Sequence, residues 1–191
     1  MWKSLFKTIT MVKEDRIEEI SDVITSNKGW YSHRYGKDDR QDYIKRRKFV
    51  EKELYTAYVN KYGILKEIIP VYFYIYPNIS KERAIEMAQQ RTKYNELAPN
   101  VLFIKILDLK DISNITFTLN DSFTSYWKKA IESGIKCREE ENGREVLPDH
   151  NKIFPLTKIE QIHRKYKEKN PYYEVQIWDY KILDDVPYEI L

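Results

Sequence analysis

Residues 172–178 read YYEVQIW, and this alternation of apolar and polar side chains predicts a β-strand. Alternate residues of a strand point to opposite faces, so Glu174 shares a face with Gln176 and Trp178 and lies opposite Val175. Glutamate is depleted in strands and costly to bury without a partner. Glu174 therefore either faces solvent on a one-sided sheet, which is the common arrangement, or points into a cleft.

The composition predicts a single domain covering residues 1–191. The chain has 191 residues, of which 42% are hydrophobic, which is enough for one well-buried core. Its 33 basic and 30 acidic residues nearly balance, so the overall charge does not indicate a nucleic acid or an anionic membrane as partner. A contact with nucleic acid would have to be local.

Cysteine and histidine are too sparse to indicate a disulfide framework or a metal site. Cys137 is the single cysteine, and the three histidines lie far apart in the sequence. The N-terminus lacks the apolar core of a signal peptide, and the longest apolar run, residues 68–77, is about half the length that spans a bilayer. We therefore expect a cytoplasmic protein without structural metal and without a membrane partner.

The order of periodic segments predicts the α+β class, because strands and helices are interspersed without a regular βαβ rhythm. Besides the strand around Glu174, strands are predicted over 5–11, 64–76, 101–107 and 115–119. Helices are predicted over 13–27, 41–62, 80–97, 123–134 and 157–169. An aromatic loop is expected over 30–40 and an exposed charged loop over 137–147. No glycine-rich nucleotide-binding motif occurs.

The helix over 41–62 carries the second group of candidate functional residues. Its apolar side chains fall on one arc of the helical wheel: Tyr43, Ile44, Val50, Leu54, Tyr58 and Tyr62. Arg47 lies in the middle of this arc and Arg46 at its rim. An inward arginine needs a carboxylate, carbonyl oxygens or an anionic ligand, so Arg47 either pairs with an internal acid or binds a ligand.

The order of several segments resembles the single-domain ADP-ribosyltransferase fold. These segments are LFKTITMVKEDRIEEI (5–20), YIKRR (43–47), IIPVYFYIYP (68–77), VLFIKI (101–106), ITFTLND (115–121) and the strand that carries Glu174. In particular, residues 5–183 resemble the toxin half of DNA-ADP-ribosylating toxin–antitoxin pairs. The resemblance implies one α+β domain with a mixed or antiparallel split sheet and flanking helices around an NAD cleft.

The resemblance also implies roles for individual residues. Glu174 matches the catalytic glutamate, and Arg46 or Arg47 matches the arginine that contacts NAD. Thr8 matches the threonine of the family's opening motif, whereas Lys7 stands where the family has histidine. This departure affects NAD handling, and with it the expectation of activity.

The activity implied by the resemblance is transfer of ADP-ribose from NAD, used as a substrate, to a nucleic-acid or protein acceptor, with an antitoxin as partner. A fixed Glu174 carboxylate would stabilise the cationic ribose of the transition state, and Tyr31 or Tyr43 would stack on the nicotinamide. Two alternatives stay open. The chain is a catalytically silent binding module of the same fold, as Lys7 favours, or an unrelated α+β protein in which Glu174 pairs with Arg47.

Overall fold

A computed structural model describes residues 4–8, 37–63, 70–77, 80, 82–83, 86, 101–109, 111–136, 145–169, 172–183 and 186–190. Within these residues the fold is α+β, with three helices and a seven-stranded antiparallel sheet. The helix expected over 13–27 and the loop residue Tyr31 lie outside the described residues, as does most of the helix expected over 80–97.

The strands are β1 Ser4–Thr8, β2 Val71–Ile75, β3 Val101–Lys105, β4 Ile115–Leu119, β5 Phe154–Pro155, β6 Tyr173–Ile177 and β7 Tyr188–Ile190. Their order in the sheet is β5-β4-β6-β2-β1-β3-β7. Every adjacent pair is antiparallel. The described strands thus form one continuous sheet rather than the split sheet expected, because β6 pairs with β2 on one side and with β4 on the other.

The helices are α1 Lys37–Tyr62, α2 Ser122–Glu132 and α3 Ile159–Tyr166. Helix α1 begins four residues earlier than predicted, within the stretch expected to be a loop. It ends before Gly63, whose φ of 68° lies in the left-handed region that favours glycine. Helix α3 is shorter than predicted, because residues 156–158 form a 3-10 turn before it.

Local sequence signals account for most boundaries of the other elements. Strand β2 starts directly after Pro70, which has no backbone N–H to donate to a ladder. Strand β3 ends at Lys105, because a 3-10 turn over Ile106–Asp108 follows. Of the loop expected over 137–147, residues 137–144 lie outside the described residues, residues 145 and 146 are exposed, and Leu147 is buried in the core.

The strand register divides the centre of the sheet into an apolar face and a polar face. On the apolar face, Phe73 of β2, Val175 of β6 and Phe117 of β4 form one row, and they pack in the larger hydrophobic cluster together with residues of α3. On the polar face, two rows carry hydroxyl, amide and carboxyl groups: Tyr72–Gln176–Thr116 and Tyr74–Glu174–Thr118. A second cluster, formed by residues of α1 and α2 with Tyr72 and Trp178, covers this polar face.

Candidate functional site on the polar face

Glu174 lies at the centre of the polar face. In the register it stands between Tyr74 of β2 and Thr118 of β4, and it is only 3% exposed. The solvent-facing interpretation of Glu174 is therefore wrong. The physical reason is that helices cover the polar face, so all five residues of β6 are buried although their polarity alternates.

Three neutral groups donate hydrogen bonds to the Glu174 carboxylate. The backbone N–H of Ser122 donates to Oε1 at 3.1 Å, and the Gln176 amide reaches the same oxygen at 3.5 Å. The Tyr74 hydroxyl donates to Oε2 at 3.3 Å. Ser122 is the first residue of α2, so the carboxylate lies at a helix N-terminus, where negative charge is stabilised.

The electrostatic surroundings of Glu174 favour its protonated form more than those of an ordinary surface glutamate. Burial, together with the nearby Asp121 carboxylate, raises its pKa from 4.5 to about 7, although Arg47 and the Ser122 N–H act in the opposite direction. At neutral pH this carboxyl group is therefore divided between its two protonation states. Such a group can accept a proton from a reacting partner at physiological pH.

A chain of buried hydrogen bonds fixes the residues beside Glu174. The Trp178 indole N–H donates to Thr116 Oγ1 at 2.8 Å, and the Thr116 hydroxyl donates to Gln176 Oε1 at 3.0 Å. The Gln176 amide then donates to Thr118 Oγ1 at 3.3 Å and to the Glu174 carbonyl oxygen at 3.2 Å. Polar groups buried at this depth therefore find partners in one another.

Two arginines of α1, Arg46 and Arg47, reach the same side of the sheet as Glu174. Arg46 is 6% exposed and donates from NH2 to the carbonyl oxygen of Phe123 at 2.8 Å. The side chain of Arg47 is 12% exposed. The expectation that Arg46 lies at the rim is therefore wrong, because the Phe123 ring of α2 covers both side chains. The centre of this ring lies 5.0 Å from the guanidinium carbon of Arg46 and 5.5 Å from that of Arg47.

Arg47 is held by two residues that the sequence analysis did not identify. Its NH2 lies 2.5 Å from Oε1 of Glu51, and its guanidinium carbon lies 4.5 Å from the centre of the Tyr72 ring. The Tyr72 hydroxyl donates to Oε2 of Glu51 at 2.6 Å. Glu51 follows Arg47 by four residues on one helix face, and this spacing was the available sequence signal.

Glu174 interacts electrostatically with Arg47 and Tyr72. Burial acts to lower the pKa of Arg47, but the charge of Glu51, with smaller effects of Tyr72 and Glu174, holds it well above its ordinary value. Burial and the same Glu51 charge raise the pKa of Tyr72 well above its usual range, and Glu174 adds to this rise. Arg47 therefore stays positively charged, and Tyr72 stays a neutral hydrogen-bond donor.

The other residues predicted for the site have no contact with Glu174 that the structure describes. Tyr43 packs edge-on against the Phe123 ring at 5.0 Å between centroids, beside the arginines, and Tyr31 lies outside the described residues. Lys7 and Thr8 belong to β1, which β2 separates from β6, so the two strands share a sheet without being adjacent. The backbone register pairs position 6 with Tyr74, which itself pairs with Glu174. By the alternation of a strand, position 8 therefore belongs to the same face of the sheet as Glu174, and position 7 belongs to the opposite face.

The direct pair between Glu174 and Arg47, considered as one alternative, is not what the structure contains, since the carboxylate beside Arg47 belongs to Glu51. Within the described residues, no cluster of three or more histidine, cysteine, aspartate or glutamate side chains is arranged to bind a metal ion. None of the helices in the described part of the chain is both long and apolar enough to cross a membrane.

Comparisons with protein-family models, with curated proteins and with solved structures found no match.

Proposed function

We propose that this protein is an ADP-ribosyltransferase-like domain that cleaves NAD and transfers ADP-ribose to a nucleic-acid or protein acceptor. The observation that carries the proposal is Glu174, a buried carboxyl group whose pKa is raised to about 7 and which is electrostatically coupled to Arg47. Fully buried carboxyl groups are uncommon, and strongly shifted pKa values cluster at functional sites. The resemblance of residues 5–183 to ADP-ribosyltransferases supports the same assignment.

Glu174 would act on the ribose carbon at which the bond to nicotinamide breaks. The bonding electron pair leaves with the nicotinamide nitrogen, and the ribose carbon gains cationic character, which a fixed carboxylate stabilises. The acceptor atom then forms its bond to that carbon and releases its proton to Glu174. Only the ionised form of Glu174 can do both.

The residues around Glu174 provide groups suited to the rest of the dinucleotide. The Nε of Arg47 is a buried donor without a hydrogen-bond partner among the residues that the structure describes, and a pyrophosphate oxygen would satisfy it. Arg46 adds a second guanidinium on the same side of α1. Tyr43, packed beside both, offers an aromatic face for a ring of the ligand.

The second candidate is a catalytically silent binding module of the same fold. The observation that favours it is the pairing of Arg47 with Glu51, because a guanidinium held by a carboxylate has less capacity for a phosphate. Lys7, at the histidine position of the related family, favours the same candidate. An antitoxin-like protein or a nucleic acid would be the partner of either form, and a cytoplasmic location suits both.

The experiment that separates the two candidates measures nicotinamide release from NAD by the wild type, with panels of DNA, RNA and protein acceptors. Glu174→Gln should lower turnover on the order of a hundred- to thousandfold, because it keeps the shape of the side chain and deletes the charge. Glu53→Gln is the matched control, since Glu53 of α1 forms its ion pair with Lys129 of α2. Equal turnover of wild type and Glu174→Gln would overturn the catalytic role of Glu174, whereas no turnover in the wild type with any acceptor would favour the silent module.

A further inference from the structure

Residues 148–151 form a turn that is attached to helix α2. The Asn151 N–H donates to the carbonyl oxygen of Ser125 at 3.1 Å, and the His150 N–H donates to that of Leu147 at 3.0 Å. Leu147 and His150 are each 5% exposed. The turn is therefore part of the folded core rather than an exposed connection.

The His150 side chain closes the turn through its imidazole ring. Its Nδ1 accepts the backbone N–H of Leu147 at 3.4 Å. A ring nitrogen that accepts a hydrogen bond carries no proton, so the proton of the neutral ring is on Nε2. Nε2 is buried and has no hydrogen-bond partner among the residues that the structure describes. The closed turn thus contains the neutral imidazole.

Two features of the closed turn oppose protonation of this ring. The second proton would be added to Nδ1, where it would face the Leu147 N–H and remove the acceptor of that bond. The positive charge would also be enclosed at a position that is almost fully buried, which costs free energy. Burial accordingly lowers the pKa of His150 from 6.5, although Asp121 and Glu145 act in the opposite direction.

The carboxylates near the imidazole are held by other groups. The charged side chains on and beside the turn form the ion pairs Asp149–Lys152, Asp149–Lys165 and Glu145–Lys169. Asp121, at the N-terminus of α2, accepts the backbone N–H of Thr124 and the hydroxyl of Tyr172. Among the described residues, none of these carboxylates accepts a hydrogen bond from Nε2. They attract a protonated ring without binding it in the closed turn.

We propose that His150 is an acid-operated switch: its neutral form holds residues 147–151 against α2, and its protonation releases them. The driving force is the solvation that the imidazolium gains when the turn opens. The switch reaches the polar face through α2, because the N–H of Ser122, one helical turn before Ser125, donates to Glu174. This behaviour is independent of the ligand that the polar face binds.

The pH range of opening follows from the direction of the pKa shift. In the open turn His150 has its ordinary pKa near 6.5, whereas in the closed turn its pKa is lower. Between these values the open form binds more protons than the closed form. The stabilisation of the closed turn is therefore complete above about 6.5 and is lost as the pH falls toward the lower value.

Amide hydrogen exchange, followed by NMR at about pH 7.5 and about pH 5 and corrected for the intrinsic exchange rate, measures the opening. The protection of Leu147, His150 and Asn151 should fall on the order of tenfold at the lower pH, because the open turn binds a proton that the closed turn excludes. The protection of Phe117 and Val175 in the sheet should not change. Unchanged protection of the turn overturns the switch, and so does an equal loss in the sheet, which would mean global acid unfolding.

His150→Asn tests whether His150 is the titrating group. The asparagine side chain keeps an acceptor near the position of Nδ1 but does not ionise in this range, so the turn should be equally protected at both pH values. His163→Asn is the matched control, since it removes a histidine of α3 whose pKa is also lowered, and it should keep the acid-induced loss. A loss of protection in His150→Asn as large as that of the wild type overturns the role of His150.

A second measurement applies if His150→Asn leaves the turn open at both pH values. The ring protons of His150 in the wild type, assigned by their absence in this variant, are titrated by NMR. A midpoint below 6.5 that coincides with the loss of protection in the turn supports the switch. A midpoint at or above 6.5, or one that does not coincide with this loss, overturns it.

Discussion

The two faces of the sheet are built from the same strands but are stabilised differently. On the apolar face, Phe73, Val175 and Phe117 are fully buried and contact other hydrophobic side chains, so their burial stabilises the fold directly. On the polar face, equally buried side chains are hydrogen-bonded to one another, and one of them is a carboxyl group. Equal depths of burial therefore do not imply that two side chains stabilise the fold to the same degree.

The polar face stabilises the fold less than its burial would indicate. A buried ionised carboxylate loses its hydration, and neutral donors replace only part of it. An apolar residue at position 174 would avoid this cost. The function proposed above would account for a carboxyl group at this position.

The largest expected effect is on the apolar face. Phe117→Ala should lower the free energy of unfolding by about 3–5 kcal/mol, because it leaves a cavity in the larger cluster. The Glu174 titration should stay near its wild-type midpoint, because Phe117 points away from the polar face. Urea denaturation and NMR measure the two quantities. Phe154→Ala, on the half-buried edge strand β5, is the control and should cost less. A displaced midpoint would show that the faces are not independent.

On the polar face, Glu174→Gln should stabilise the protein at pH 8. The folded-state pKa of about 7 lies above the unfolded value near 4.5, so the folded state binds more protons, and stability falls as the pH rises between these values. The wild type should lose about 3 kcal/mol over this interval, and the variant should lack this loss. Thermal unfolding between pH 4 and 8 measures it. A variant less stable than the wild type at pH 8 would contradict the assigned ionisation.

Gln176 tests the hydrogen-bond chain. Gln176→Met should cost about 1–3 kcal/mol, because it removes the acceptor of the Thr116 hydroxyl inside the covered face. Gln161→Met, an exposed position on α3, is the matched control and should change stability by less than about 0.5 kcal/mol. Urea denaturation measures the loss of stability. Equal losses in Gln176→Met and Gln161→Met would mean that the buried hydrogen bonds of Gln176 contribute nothing to stability.

The smallest effect on stability is expected at Asp121. Asp121→Asn keeps an amide oxygen that can cap α2, so the free energy of unfolding should change by less than about 1 kcal/mol. The pKa of Glu174 should nevertheless fall, because the Asp121 charge helps to raise it. NMR titration of Glu174 measures this, with the exposed Asp111→Asn as control. If the pKa of Glu174 rises or stays the same in Asp121→Asn, Asp121 influences Glu174 by capping α2 and not by its charge.

Alternation and helical spacing predicted most of the elements that the structure describes, including β4 at its observed bounds and β6 to within a residue at each end. The burial of Glu174 was not decidable from alternation, because a polar outer face and a polar face covered by helices give the same pattern. The greater burial of Arg46 depends on Phe123, which lies 77 residues away in sequence. The contact between Tyr72 and Glu51 is also non-local, whereas the spacing of Glu51 from Arg47 was readable.

The place of β6 in the sheet has a consequence for the order of events during synthesis. Residues 173–177 are made after β2 and β4 but pair between them, so both strands keep an open edge until these residues have left the ribosome. Contacts such as that between Tyr74 and Glu174, 100 residues apart, slow folding. A nascent chain halted before residue 172 would expose two strand edges to other chains and lack Glu174. The polar face thus becomes complete only after β2, β4 and β6 have all been synthesised.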